Sequence, residues 1–287
     1  PFDAPRSGPY LNPPLKEHAI TPHLDRALHK LGWHPYPTPR AVLSRDHDGR
    51  PACDYCGYCG GYGCWNGAKS SVLLTYIPKA VATGNCEVRS HAMVTEVVAS
   101  RDGKATGVRW RDRAGAEHEE RARAVVVSCG AIESARLLLL SRSARFPGGL
   151  ANGNGQVGRN LCLSTFASVE AELLSTGGGK KIEGLMGRHP WLGRSIQDFY
   201  APGKGQPKAG TIRFDLAHVN PIFTAESVAR RSAPVLWGER LKEAMDRRFH
   251  AGKTLEAEIF SEFTPTPHTF VDLDPEGVVD RVADRAR

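Results

Sequence analysis

The sequence has no apolar run near the roughly 20 residues that a helix needs to cross a bilayer. Its longest, such as Ala124 to Val127 and Leu137 to Leu140, stop far short, so no transmembrane helix is expected. It has no initiator methionine and, at its start, neither a basic n-region nor an apolar h-region. Any signal peptide is therefore expected to have been removed or never included. Internal repeats at the usual periods are absent, which excludes solenoid and propeller architectures. The one biased tract, Gly177 to Lys181, reads as an exposed loop. Nor does one sign of charge dominate: 38 Lys and Arg stand against 31 Asp and Glu, a formal +7. The basic residues are scattered among acids, which argues against a nucleic-acid partner.

What is present suits a globular chain. With 287 residues, 40% of them hydrophobic and 24% charged, it can bury the core of one large or two ordinary domains. The first fifty residues are rich in proline and hold one helical stretch, about His23 to Leu31, so 1–50 is expected to be a wrapped connecting segment. Gly67 to Val81 carries helical spacing with a break near Pro78. The pattern then turns β-prone, with runs at Glu87 to Ser100, Thr106 to Arg111 and Glu117 to Arg121 that predict a β-meander. Ala124 to Ser128 reads as a short buried strand that Cys129-Gly130-Ala131 turns into an amphipathic helix ending near Ser141. Strand, small-residue turn and helix together are a common cofactor-holding device. Phe146 to Asn160 reads as loop, and a domain boundary is expected near 160. Strands at Leu161 to Leu174, Thr211 to Val219, Ala257 to Phe263 and Thr269 to Leu273, with a helix near Trp237 to Phe249, predict an antiparallel sheet with covering helices over 160–287.

Seven cysteines are present, and Cys53, Cys56, Cys59 and Cys64 follow one another at C-x2-C-x2-C-x4-C spacing, too tight for a spread disulfide framework. Thiolates are soft ligands that suit iron–sulfur clusters and zinc, and the surrounding glycines let several sulfurs converge. Zinc sites usually come as two separated pairs, and here there is no second pair. An iron–sulfur cluster, 3Fe-4S or 4Fe-4S, is the preferred reading. Zinc, and a Gly-rich turn packed with small buried thiols, are the alternatives. A three-iron cluster would take Cys56, Cys59 and Cys64, with Cys53 as the fourth thiol. Cys86, Cys129 and Cys162 have no partner at ligand spacing and are expected as core or cofactor-wall residues. The run Gly153 to Gly158 follows a helix and loop, so dinucleotide binding cannot be claimed from it. His189, His218, His250 and His268 are isolated, with no spacing to a base or a metal.

The stretch Pro51 to Ser71, PACDYCGYCGGYGCWNGAKSS, resembles the cysteine loop of the glucose-methanol-choline (GMC) FAD-dependent oxidoreductases, nearest their gluconate, 2-ketogluconate and sorbitol dehydrogenase large-subunit branch. Val127 to Ser141, Gly155 to Asn160 and Thr269 to Pro275 resemble the same branch in the same order. The fold this resemblance implies is mixed α/β: part of an FAD-binding Rossmann-like domain with an inserted β-meander (51–159), and an antiparallel-sheet substrate domain (160–287). It implies an internal segment cropped at both ends, with the FAD pyrophosphate fingerprint before Pro1 and the catalytic His after Arg287. No catalytic residue is then expected in this chain, and the chain alone is expected to be inactive. By resemblance, the FAD contacts are Val94, whose backbone meets the adenine, and Ser128, Cys129, Gly130 and Ala131 near the phosphates. Cys129, where many relatives have Ala, need not be redox-active. The implied activity is oxidation of an alcohol group of a sugar, sugar acid or polyol by hydride transfer to flavin N5. The cysteine cluster would then pass electrons toward a cytochrome c subunit at the periplasmic membrane face, with a small accessory subunit as a further partner. The rival readings are a GMC alcohol oxidase, a stand-alone iron–sulfur electron carrier and a zinc-stabilised binding module.

Overall fold

The computed structural model describes residues 7–56, 62–173, 193–200, 210–216, 221–231, 233–247, 253–261 and 263–274. Cys59, the Gly177 to Lys181 tract, residues 217–219, and His189, His218 and His250 lie outside them. In chain order the elements are α1 (Thr21–Lys30), β1 (Tyr36–Pro37), α2 (Tyr76–Ala82), β2 (Met93–Ala99), β3 (Ala105–Arg111), β4 (Glu117–Arg121), α3 (Gly130–Leu140), β5 (Thr165–Leu173), β6 (Arg194–Ile196), β7 (Thr211–Leu216), α4 (Pro221–Arg231), α5 (Gly238–Asp246) and β8 (Lys253–Ser261). The mixed α/β class with antiparallel sheets is the one expected. The chain packs as two compact units, 1–83 with 164–262, and 84–163 with 263–287.

The first unit is built on a five-stranded antiparallel sheet of order β1-β6-β7-β8-β5. Strand β7 alternates Ile212, Phe214 and Leu216 with Arg213 and Asp215, and period-two alternation puts the two sets on opposite faces. Across the ladder Ile212, Phe214 and Leu216 sit opposite Ile259, Ala257 and Leu255 of β8. Helix α1 covers this apolar face. Ile20, Leu24 and Leu28 recur every four residues, so they form one stripe. Ile20 and Leu28 are buried with Ile196, Phe214 and Leu216, and Leu24, Trp33, Ile212, Leu255 and Ala257 pack around them. The helix starts with Pro22 in its first turn, where no N–H is missed, and ends with His29 and Lys30 beside its negative pole. Arg194 of β6 pins it: the side chain is only 7% exposed and reaches Asp25 of α1 at 3.0 Å and Glu17 of the preceding segment at 2.5 Å.

The second unit holds the meander, with strand order β2-β3-β4. Trp110 stacks on His118 across β3 and β4 with ring centroids 4.3 Å apart. Helix α3 docks through Leu137 and Leu139, and Ser141 Oγ accepts the amide of Val97 at 2.9 Å in a buried bond. Gly158 approaches the backbone of residue 271 so closely that a Cβ there would lie 2.2 Å from the Val271 oxygen. That approach carries a hydrogen bond from Val271 N to Gly158 O at 2.8 Å, one from Leu161 N to Thr269 O at 2.9 Å, and a bridge between Arg159 and Phe270. Two of the separated family-like segments are thus paired backbone to backbone.

Three element expectations need correction, and three elements were missed. Ala124 to Ser128 forms no ladder among the described residues, and Val126 is 86% exposed. A buried strand of this kind depends on neighbours in its sheet, and none of the described strands pairs with it. The helix foreseen over Gly67 to Val81 begins only at Tyr76, and Pro78 falls in its first turn, where proline is tolerated. Thr269 to Leu273 makes the single bridge at Phe270 in place of a strand. Helix α4 and the short strands β1 and β6 went unforeseen, because runs this short or this weakly patterned carry little periodicity.

Leu28→Ala should cost about 2–4 kcal/mol of stability, since it deletes a core side chain that α1 shares with β6 and β7. Urea unfolding of the two proteins checks this, and a loss below about 1 kcal/mol would contradict the packing described.

Candidate functional site

The cysteine loop stands on a small backbone scaffold in the first unit. Leu43 and Ala68 are buried, Leu43 N donates to Ala68 O at 3.0 Å, and Ser70 N donates to Ala41 O at 2.7 Å. Cys53 joins the same scaffold by donating its amide to Leu43 O at 2.8 Å. Ala52 is tied on both sides, its N–H to Asp46 Oδ1 at 2.7 Å and its carbonyl to Asn66 Nδ2 at 3.2 Å. Tyr55 takes a left-handed conformation, φ 57°, and so reverses the chain between Cys53 and Cys56. The reversal aims the Tyr55 amide at Cys53 Sγ, 3.4 Å away. At the other end Lys69 N donates to Cys64 Sγ at 3.4 Å, and the Cys64 thiol donates to Asn66 Oδ1 at 3.1 Å.

Cys53, Cys56 and Cys64 are half-buried, unpaired thiols. Burial pushes the Cys53 thiol above its ordinary range. The Tyr55 amide opposes that shift, while the neighbouring charges of Asp54, Cys56 and Cys64 add to it. A metal cation reverses this penalty, because it supplies the opposite charge that a cluster of thiolates lacks. Among the described residues no group of three His, Cys, Asp or Glu side chains is gathered tightly enough to hold an ion. The described donors are thiols with backbone amides directed at two of the sulfurs, and in this arrangement they are not gathered around one point. Cys86, Cys129 and Cys162 are exposed, so none is a core residue.

The residues foreseen as FAD contacts all fall in the second unit. Val94 lies on β2 opposite Trp110, next to an irregularity at Thr95 where the ladder register shifts. Bulges of this kind re-aim a strand and recur beside binding sites. Ser128, Cys129, Gly130 and Ala131 lead into α3 and are exposed. No side chain caps this helix, Gly130 has φ 78°, and nothing lies within 4 Å of where its Cβ would be. The Cys129 amide is taken by Ser134 Oγ at 3.1 Å. Glu133, the acid of the first turn, is paired with Arg136 at 2.7 Å, so it does not set an unpaired negative charge against a phosphate. This open, glycine-approached helix start fits a pyrophosphate.

The sheet face opposite α1 carries a charged set that the sequence reading did not single out. Asp215, Glu256 and Glu170 stand side by side on β7, β8 and β5. Arg213 pairs with Glu258 and with Asp215, and Arg40 reaches Asp215. The guanidinium of Arg213 also lies 5.3 Å from the Phe260 ring, which meets Phe166 at 5.5 Å. The alternation of Arg213, Asp215, Glu256 and Glu258 with apolar residues was a readable signal, but only the register shows that they meet. A second such pair is His34 Nδ1 and Asp198 Oδ1, 2.6 Å apart.

Residues 15–166, more than half of the chain, match the GMC oxidoreductase family. The chain belongs to that family. It is 32% identical over 277 residues to the 2-methyl-1,2-propanediol dehydrogenase of Mycolicibacterium austroafricanum, covering 94% of this chain and 48% of that protein. It is 38% identical over 141 residues to the 6'''-hydroxyparomomycin C oxidase of Streptomyces lividus, 49% of this chain and 26% of that protein. With the gluconate 2-dehydrogenase flavoprotein of Pantoea cypripedii it shares 31% over 152 residues, 51% of this chain and 25% of that protein. The chain thus spans about half the length, or less, of these relatives. GMC oxidoreductases bind FAD, and the exposed start of α3 in this GMC chain is compatible with that cofactor.

Burial raises the Glu256 carboxyl, and repulsion from Glu258, Glu170 and Asp215 raises it further against the opposing pull of Arg213. An acid raised on folding favours the folded state fully below its unfolded value, about 4.3. That contribution is lost as pH rises through the folded value. Glu256→Gln should therefore raise the melting temperature at neutral pH and leave it unraised in acid. A variant no more stable at pH 7 than the parent, in paired melts across pH, would contradict this.

Proposed function

We propose that the protein carrying this sequence is an FAD-dependent dehydrogenase that oxidises an alcohol group of a sugar, sugar acid or polyol. The observation that carries this reading is the thiol loop, mounted on buried backbone with amides directed at Cys53 and Cys64 in a GMC chain. When bound, FAD supplies a hydride acceptor at N5, and a 3Fe-4S or 4Fe-4S cluster supplies one-electron transfer to a cytochrome-type acceptor.

In this reading residues 1–50 connect, 51–159 belong to the FAD-binding part and 160–287 to the substrate part. Ser128, Cys129, Gly130 and Ala131 at the α3 start lie near the FAD phosphates, and the Val94 backbone meets the adenine. Cys53, Cys56, Cys59 and Cys64 hold the cluster. The charged and aromatic face of β5, β8 and β7 suits a polyhydroxy compound, because carboxylates and Arg213 can bond hydroxyls while Phe260 and Phe166 offer apolar faces. Partners in this reading are a cytochrome c subunit and a small accessory subunit at the periplasmic membrane face. The Pantoea relative is itself named a flavoprotein. The 2-methyl-1,2-propanediol dehydrogenase is itself named for a diol.

The test is anaerobic mixing of the natural protein bearing this sequence with a panel of polyols, sugars and sugar acids. Bleaching of bound flavin by at least one of them, followed by reduction of ferric cytochrome c, is expected. Oxygen consumption without cytochrome reduction would favour an oxidase, in line with the Streptomyces relative. A protein that holds no flavin would overturn the proposal.

A further inference from the structure

Within the first unit a pocket of about 490 Å³ is walled by residues 10–17 and 36–43, with Ser70, Gly193 and Arg194 completing its lining. That volume is in the range of pockets that bury a drug-sized molecule. Both walls are tied. On the first, Ser44 Oγ donates to Pro13 O at 2.5 Å, Arg45 donates to Leu11 O at 2.7 Å and to Asn12 Oδ1 at 2.8 Å, and Lys16 N donates to Tyr55 Oη at 2.9 Å. On the second, β1 pairs with β6, Thr38 N donates to Gly193 O at 2.8 Å, and Leu43 N donates to Ala68 O. Pro13, Pro14, Pro37 and Pro39 fix φ along both walls, so the pocket is preformed and a ligand has little chain freedom left to remove.

Four charged side chains, Lys16, Glu17, Arg40 and Arg194, are part of a lining that is otherwise mostly apolar. Arg40 is paired with Asp215, and Arg194 with Asp25 and Glu17. Lys16 has no carboxylate partner among the described residues. Its ammonium lies 5.2 Å from the centroid of the Tyr55 ring, the same tyrosine that accepts its amide, so the one uncompensated charge of the pocket is held in place. We infer that this pocket binds an aryl carboxylate, its ring against Tyr10, Tyr36 and the proline faces and its carboxylate toward Lys16. Aromatic rings gain from flat ring partners beyond simple burial, and the rigid walls suit a planar body. A polyol would set its hydroxyls against apolar walls without partners, so the pocket is distinct from the charged face proposed for the alcohol substrate. Neither flavin nor thiol takes part in this binding.

The experiment is isothermal titration calorimetry of the full chain with 2-naphthoate and with 2-naphthamide, which has the same rings and no charge. Naphthoate is expected to bind at one site per chain, about five-fold more tightly than the amide, as one partly exposed ion pair allows. Lys16→Met should bring naphthoate down to the affinity of the amide and leave the amide unchanged. Leu15→Trp, which fills the pocket, should abolish both, and Val42→Trp replaces it if far-ultraviolet circular dichroism shows that Leu15→Trp does not fold. Dodecanoate should bind more weakly than naphthoate. A parent without saturable naphthoate binding overturns the inference, as do equal affinities for naphthoate and the amide, unchanged naphthoate affinity in Lys16→Met, and binding that survives in a folded filling variant. Tighter binding of dodecanoate overturns the assignment of an aryl ligand. Calorimetry needs no turnover, so this site and the dehydrogenase reading can each fail alone.

Discussion

The guanidinium of Arg194 is the constraint on which the first unit depends. It lies almost out of water between Asp25 of α1 and Glu17 of the segment before it, at the second strand from the edge of the sheet. A charge in that position is tolerated only if both carboxylates are in place, because desolvation alone would expel it. Their placement commits the proline-rich segment and α1 to one side of the sheet. The apolar stripe of α1 then meets Ile196, Phe214 and Leu216. With that face closed, the charged residues of β7 and β8 must occupy the other. The polar wall there is a consequence of how the apolar face was covered.

The two candidate cofactor regions differ in how far the chain prepares them. The cysteine loop is fastened by Leu43, Ala68, Asn66 and the Asp54–Trp65 bond, and burial pushes the Cys53 thiol above its ordinary range. The start of α3 is prepared in a different sense. It is glycine-approached and uncapped, and the neighbouring Val126 is almost wholly in solvent. An apolar residue so exposed, beside a segment without a ladder, is a surface that gains by being covered. The loop owes its order to local bonds, whereas the helix start is open and exposed among the described residues.

Local chemistry was legible in the sequence wherever a short pattern sufficed. The strands of the meander follow from β-prone runs broken at Gly103 and Gly115, both at positive φ. Helix α1 follows from Leu24 and Leu28 one turn apart, and α3 from the Cys129-Gly130-Ala131 turn. Reading failed where a pattern was right but the partner was absent. Ala124 to Ser128 has the composition of a buried strand, and composition cannot report whether a neighbouring strand exists. It failed again at Thr269 to Leu273, which pairs with Gly158 to Leu161 only through a close approach that needs a glycine more than a hundred residues earlier. The charged face was visible as alternation in each strand, but its meaning was not, since Arg213 and Glu258 are partners only in one register.

By itself the sequence determined the chemistry that this protein can offer: soft sulfur donors in one tight run, a small-residue turn opening a helix, an alternating sheet, and membership of a family that uses flavin. These are properties of residue type and short spacing, which survive whatever the chain does at long range. Only the tertiary structure decided which distant residues share a site. Asn66 meets Ala52, His34 meets Asp198, Arg40 meets Asp215, and Glu256 stands among three other carboxylates. Each of these depends on packing α1 against the sheet, on sheet register or on loop closure. Those are set by burial summed over the whole unit, a quantity that no local pattern contains.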